Sequence, residues 1–217
     1  MSTFTAVLFD VDGTLVDSND AHAHAWVEAF AEEGVVVDFN TVRRCIGMGG
    51  DKLMPEVSGL TDDTPQGARI ARRRGEIFTA QYLPQLKPFR DSGRLVAAFK
   101  ARGLTVVAAS SAKQEELRAL LTIARAYSLL DGATSSDDAE ESKPAPDIIE
   151  AALKQAGVAA ADAIMIGDTP YDVTAATRAG VRTVGFRCGG WGDRDLQGAV
   201  AIFDGPWDLL PRLDELN

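Results

Sequence analysis

Four short stretches of this sequence carry residue types that do chemistry. Residues 7–18 read VLFDVDGTLVDS, so Asp10, Asp12 and Asp17 crowd the end of an apolar run. Ser110-Ser111 closes LTVVAASS, Ser142-Lys143-Pro144 stands in a polar stretch, and Asp168 to Asp172 (DTPYD) follows AIMIG. Burying an unpaired carboxylate is costly. The acids behind Val7-Leu8-Phe9 therefore either sit in a solvated turn or do chemistry in partnership with a positive charge. Taken singly, each stretch has an ordinary use: Asp-Gly makes turns, Ser-Ser and Asp168 cap helices, and Lys-Pro is loop. Together they bring four acids (Asp10, Asp12, Asp168 and Asp172), a hydroxyl and a lysine to strand ends, and those separate uses do not explain the joint occurrence.

The elements around these stretches would bring them to one place. Phe4–Phe9 is rich in strand formers and ends at once in Asp and Gly, the pattern of a buried strand entering a loop. Residues 17–34 turn helical, with Ala25, Trp26, Ala29 and Phe30 at helical spacing. Helical character continues through IARRRGEIFTAQYL, punctuated by Gly47, Gly49, Gly50, Gly59 and residues 61–65. After Pro84 the rhythm changes. Helices are predicted over 92–101, 114–123, from Pro146, over 173–179 and over 207–213; strands fall at LTVVAASSA, 133–135, AIMIGD, VRTVGF and 200–203. This alternation predicts an α/β fold, a doubly wound parallel sheet with a Rossmann-like core. The all-helical block interrupts it after the first strand, giving a core of residues 1–16 and 84–217 and an inserted helical cap of residues 17–83. Ligands of such sheets bind at the carboxyl ends of the strands, where all four stretches lie.

Composition narrows the partners. A chain of 217 residues can bury a sizeable core. With 32 acids against 22 bases, the net charge is −10, which argues against nucleic acid or an anionic membrane as partner. A phosphorylated substrate would need a local cation, which points to a metal. Cys45 and Cys188 fit no zinc spacing and read as free thiols. No signal peptide or membrane span is evident, and the expected location is cytoplasmic.

DVDGT, the strand-end serine, the lysine before proline and GDTPYD resemble the four motifs of the haloacid dehalogenase superfamily. Within it, the chain looks closest to the phosphoglycolate phosphatase and β-phosphoglucomutase branch, over nearly its whole length. The resemblance implies that Asp10 is the nucleophile that forms an aspartyl-phosphate and that Asp12 is the general acid/base. It implies that Ser110 and the backbone N–H of Ser111 hold the phosphoryl oxygens, with Lys143 bridging that phosphate and Asp10. Mg²⁺ would be held by Asp10, Asp168 and the backbone carbonyl of Asp12, with Asp172 in support. The implied activity is Mg²⁺-dependent hydrolysis of a small phosphorylated metabolite, a sugar phosphate or phosphoglycolate, by a monomer or small homo-oligomer.

The alternative is a β-phosphoglucomutase-like sugar phosphomutase sharing the same core. In that branch a histidine at the hinge contacts substrate, and His22 holds the matching place; its other reading is an ordinary satisfied helix histidine. The GMGG stretch does not match the arginine loop that grips a second phosphate in the mutase. Lys52 is a second cap candidate; a phosphonate-cleaving enzyme would need a Schiff-base lysine from the cap, and Lys52 is the conceivable one, without specific support. The dehalogenase reaction needs neither Asp12 nor magnesium, so their presence counts against it. A P-loop kinase is excluded by the lack of GxxxxGK[ST]. Arg43, Arg44 and Lys52 beside the GMGG turn and the Arg72-Arg73-Arg74 run read as solvated charged faces or, alternatively, as cations for a substrate's distal anionic group, and Trp191 as a surface or contact residue.

Overall fold

The computed structural model describes residues 4–216. The chain forms two compact units, one of residues up to 17 and from 87 onward, the other of residues 18–86. Strand β1 (Ala6–Phe9) opens the first unit. The second holds helices α1 (Asn19–Glu32), α2 (Phe39–Cys45), α3 (Gly50–Ser58) and α4 (Pro65–Ile77), followed by a π-helical turn at Phe78–Tyr82. The chain then returns through α5 (Ser92–Ala101), β2 (Thr105–Ala109), α6 (Gln114–Ile123), β3 (Gly132–Thr134) and α7 (Asp147–Ala156). It ends through β4 (Ala163–Gly167), α8 (Pro170–Arg178), β5 (Arg182–Phe186), β6 (Ala201–Phe203) and α9 (Pro206–Leu209).

The six strands make one parallel sheet in the order β3-β2-β1-β4-β5-β6. β1 and β4 are apolar and buried throughout, as strands covered by helices on both faces must be. Ala6 and Leu8 face a core of Val107, Ala109, Met165, Ile148, Ile149 and Ala176. On the opposite face Phe9 meets Phe99 of α5 edge to face at 5.8 Å. The chain winds outward through β2 and β3, then returns to lay β4 against β1 on its other side. That reversal opens a crevice at the carboxyl ends of β1, β2 and β4.

Two sequence expectations change. The helix predicted over 207–213 is α-helical only through Leu209 and continues as 3₁₀ over Leu210–Leu216, because Pro211 has no N–H for an α-helical bond. Trp191 is not a surface residue: it is 7% exposed and packs with Val173 and Leu196.

In the helical unit α1 packs against α2 and α4. Three arginines of α4 pair with acids there. Arg69 grips Glu33 at 2.7 Å, Arg73 grips Glu32 at 2.6 Å, and Arg72 lies 3.3 Å from Glu76.

Candidate functional site

The ladder between β1 and β4 runs one residue past the strands: Asp10 N–H donates to the Ile166 carbonyl at 2.9 Å. That bond fixes Asp10 at the mouth of the crevice, where it is only 7% exposed. The chain then turns sharply. Leu15 and Val16 N–H groups both donate to the Val11 carbonyl, at 2.9 and 3.0 Å, and Gly13 takes φ 73°, a conformation glycine adopts without strain. The turn carries Thr14 back under Asp10. Its hydroxyl lies 2.8 Å from Asp168 Oδ1 and 3.2 Å from Asp10 Oδ2, tying the ends of β1 and β4 together.

Lys143 is fully buried. Its ammonium donates to Asp10 Oδ1 at 2.6 Å, Asp172 Oδ1 at 2.7 Å and the Ala109 carbonyl at 2.8 Å. All three donors are satisfied, and the lysine stands between the ends of β1, β2 and the start of α8. Asp172 anchors that arrangement. Its Oδ2 accepts from Thr169 N–H at 3.0 Å and Thr169 Oγ1 at 2.7 Å, closing the capping box that starts α8. The helix therefore begins at Pro170, three residues before the predicted start, and GDTPYD forms its first turn. Gly167 makes room for it: a Cβ there would lie 2.6 Å from Cβ and Cγ of Asp172.

Burial holds the Asp10 carboxyl well above the usual range; Lys143 pulls it down, while Asp172, Asp168 and Asp12 push it further up. For Lys143, burial alone would lower the ammonium, but Asp10 and Asp172 outweigh it and carry the pKa above the ordinary lysine value. Lys143 contacts Asp10 and Asp172, and Asp168 lies beside them. Asp10, Asp168 and Asp172 each offer an oxygen, and these oxygens lie within 4.8 Å of one another. The donors are hard carboxylate oxygens. The nearby Cys188 thiol is pushed upward by burial and by Asp168, so it stays protonated and adds no thiolate. A donor set of this kind fits a hard divalent cation such as Mg²⁺.

The remaining expected site residues are placed as follows. Ser110 is buried, its N–H on the Thr134 carbonyl at 3.1 Å and its Oγ accepting from Ala112 N–H at 3.1 Å. Ser111 follows it at the same strand end. Asp12 is half-buried in the turn and lies outside the three-acid cluster.

His22 is buried within the helical unit, stacked on Phe78 at 4.0 Å, with Nδ1 2.5 Å from Arg74 Nη2. Because Arg74 is always a donor, Nδ1 accepts and the ring proton sits on Nε2. Lys52 lies half-buried in the first turn of α3.

Sequence reasoning passed over three contributors: Thr14, Thr169 and the loop after β5. In that loop, Cys188 Sγ–H donates to the Gly13 carbonyl at 3.3 Å, and Gly189 packs directly on the Asp168 carboxylate. The paired glycines behind a strand were the available signal, since glycine there marks close backbone approach.

The model of the family described as "Haloacid dehalogenase-like hydrolase" matches residues 7–186. The phosphoglycolate phosphatase of Rhodospirillum rubrum is 33% identical over 227 residues, covering 95% of this chain and 92% of its own. That of Aquifex aeolicus is 28% identical, covering 96% of each. Among solved structures, a hydrolase from Pseudomonas syringae superposes with a TM-score of 0.89 at 28% identity, covering 97% of this chain and 98% of its own.

Proposed function

The chain belongs to the haloacid dehalogenase-like hydrolases, and from that membership we propose that it is a Mg²⁺-dependent phosphatase of small phosphorylated metabolites, working through an aspartyl-phosphate. The observation that carries this reading is the Asp10–Lys143–Asp172 bridge at the switch point of the sheet. Lys143 orients Asp10 by occupying Oδ1 and favours its ionised form against the effect of burial, so the attack falls to Oδ2, on which the Thr14 hydroxyl rests. Asp12, two residues on, protonates the leaving oxygen and then takes a proton from the water that cleaves the acyl phosphate. Ser110 and Ser111 steady the phosphoryl oxygens. Asp10 and Asp168, with the Asp12 carbonyl, would hold the magnesium, which neutralises charge on the transferring group. Asp172, with both oxygens engaged, positions Lys143. Residues 17–83 serve in this reading as the substrate-selecting cap, with His22 and Lys52 as its contributors. The relatives' names favour phosphoglycolate or a compound of similar size.

The test is phosphate release from a panel of small phosphorylated metabolites, phosphoglycolate and hexose phosphates included, with and without Mg²⁺. Release is expected to need both the metal and Asp10, with Asp10→Asn reducing it at least about 10³-fold. Release that persists in Asp10→Asn would sink the proposal. Isomerisation of a hexose phosphate without release would point to a mutase.

Magnesium is also expected to stabilise the fold. The raised Asp10 pKa means that its neutral form is the one favoured by burial; that contribution is complete below the ordinary carboxylate range and lost as pH rises through the raised value. At neutral pH the ionised cluster therefore lowers stability until a cation offsets it. Saturating Mg²⁺ should raise the melting temperature by about 5 °C, and EDTA should reverse the shift. Its affinity should weaken towards acid pH as protons compete at Asp10. A melting temperature indifferent to both reagents would show that the three acids do not hold the ion.

A further inference from the structure

The loop after β5 presses on the acid cluster, yet it is built of flexible material. Between β5 and β6, Gly189, Gly190, Gly192 and Gly198 leave its backbone many alternatives. One arrangement is nevertheless chosen. Gly189 lies directly on the Asp168 carboxylate, and Cys188 Sγ–H donates to the Gly13 carbonyl at 3.3 Å. Trp191 adds an apolar anchor against Val173 of α8. Burial of one side chain two residues further on does not fix the position of Gly189 itself.

Arg187 is placed to do that. It opens the 3₁₀ turn Arg187–Gly189, and Gly190 N–H closes on its carbonyl at 2.9 Å. The two residues that follow it are the ones that touch the site. Its guanidinium is a fork with both arms filled. Nε and Nη2 donate to the two oxygens of Asp193 at 2.6 and 3.1 Å, and Nη1 donates to Asp204 Oδ1 at 2.7 Å. One planar group thus joins the end of β5, the middle of the loop and the residue after β6. The pairing holds the Asp193 carboxyl below the usual carboxylate range. Ion pairs this exposed add little to global stability. Their leverage is on local opening, and lysine cannot reproduce the fork.

We propose that Arg187 is a positioning residue for the metal site: by clasping Asp193 and Asp204 it holds the loop after β5 against Asp168, and so sets the spacing of the oxygens that receive Mg²⁺. This deepens the phosphatase reading and rests on it.

The Cys188 thiol reports the loop directly, without metal or turnover. It is largely buried, so a small maleimide reaches it only when the loop lifts; Cys45, buried in α2, is the reference for global unfolding. Peptide mass spectrometry follows both. Arg187→Met should label Cys188 about tenfold faster and leave Cys45 unchanged, with Arg187→Lys between the two. Saturating Mg²⁺ should slow the labelling of Cys188, since the ion favours the closed loop. By calorimetry, Arg187→Met should bind Mg²⁺ about threefold more weakly, a smaller change because the closed loop still dominates. Arg102→Met is the matched control: Arg102 is 39% exposed against 38% for Arg187 and pairs with Asp214 at 2.7 Å in the same unit. It should alter neither readout. Equal Cys188 labelling in wild type and Arg187→Met would overturn the proposal. So would parallel acceleration at Cys45, which would mark global loosening, or faster labelling with unchanged Mg²⁺ affinity, which would leave Arg187 a loop clasp without effect on the site. Arg187-dependent labelling and Mg²⁺ binding in a protein that hydrolyses no ester would leave the clasp standing and remove the phosphatase reading. Wild-type protein that binds no Mg²⁺ would remove both.

Discussion

Replacing Lys143 with methionine should abolish turnover and cost more stability than an average core substitution. The side chain is fully buried, and its three donors reach Asp10, Asp172 and the Ala109 carbonyl. Methionine conserves the apolar stem but removes the only cation that the fold brings into contact with these acids among the described residues. Removing one partner of a buried ion pair leaves an uncompensated charge and costs about 3–5 kcal/mol. Here the remaining acids respond by holding a proton, so Asp10 climbs further above the usual carboxylate range and is lost as a nucleophile. A fall in kcat of at least about 10³-fold is expected. The pH dependence gives a sharper signature. Because the Lys143 pKa is raised, its contribution is fully present below the ordinary lysine range and is lost only as pH rises through the raised folded value. The stability gap between wild type and Lys143→Met should therefore be nearly flat from about pH 7 to pH 9, and should shrink in acid as the carboxyls protonate. Urea unfolding across that range, without added metal, measures it. A gap that widens in acid would contradict the assignment.

The parts of this site that were legible in the sequence share a property: each is announced by its neighbours along the chain. An apolar run that ends in Asp-Val-Asp-Gly is visible as a strand entering a turn, and the same holds for Gly167-Asp168. The parallel sheet followed from the alternation of such runs with helices, and the helix over 114–123 falls where its periodicity put it. What stayed hidden depends on contacts that are distant in sequence. Thr14 was visible as part of a motif, but its hydroxyl meets Asp168 only because β4 returns beside β1. The early start of α8 went unseen because Asp172 was read as chemistry alone; it is also the residue that closes the capping box. Trp191 sits among polar and glycine residues in sequence, so its burial against Val173 and Leu196 leaves no local trace. The division of α4 from a π-helical turn at Phe78 has no propensity signal either, since both segments read as one helix.

Gly189 is the strongest case of a site residue concealed by distance, and Gly189→Ala should lose most of the magnesium affinity together with the activity. A Cβ at this position would lie 1.7 Å from Asp168 Oδ2, 2.3 Å from Cγ and 2.6 Å from Cβ. No rotation of Asp168 relieves this at low cost. The residue is fully buried, and its other oxygen is engaged by Thr14 at 2.8 Å. Either the acid swings away from the cluster or the loop carrying Cys188 lifts from Gly13. Both movements change the spacing of the oxygens meant for the ion. A misplaced charge-stabilising group commonly costs about 10²-fold in rate, and a similar loss is expected in Mg²⁺ affinity by calorimetry. Backbone strain is not the cause, because Gly189, unlike Gly190 at φ 93°, lies outside the left-handed region. Gly180 makes the comparison clean. It sits at φ 76° after α8, and a Cβ there would meet only Ala160 at 3.6 Å. Gly180→Ala should lose about 1–2 kcal/mol of stability from the left-handed backbone while keeping wild-type turnover and metal affinity. Gly189→Ala should do the reverse, with a modest change in melting temperature and a large loss of function. If the two variants behave alike, the loop after β5 is structural support only, and the position of Asp168 is set by β4 and Thr14 without it.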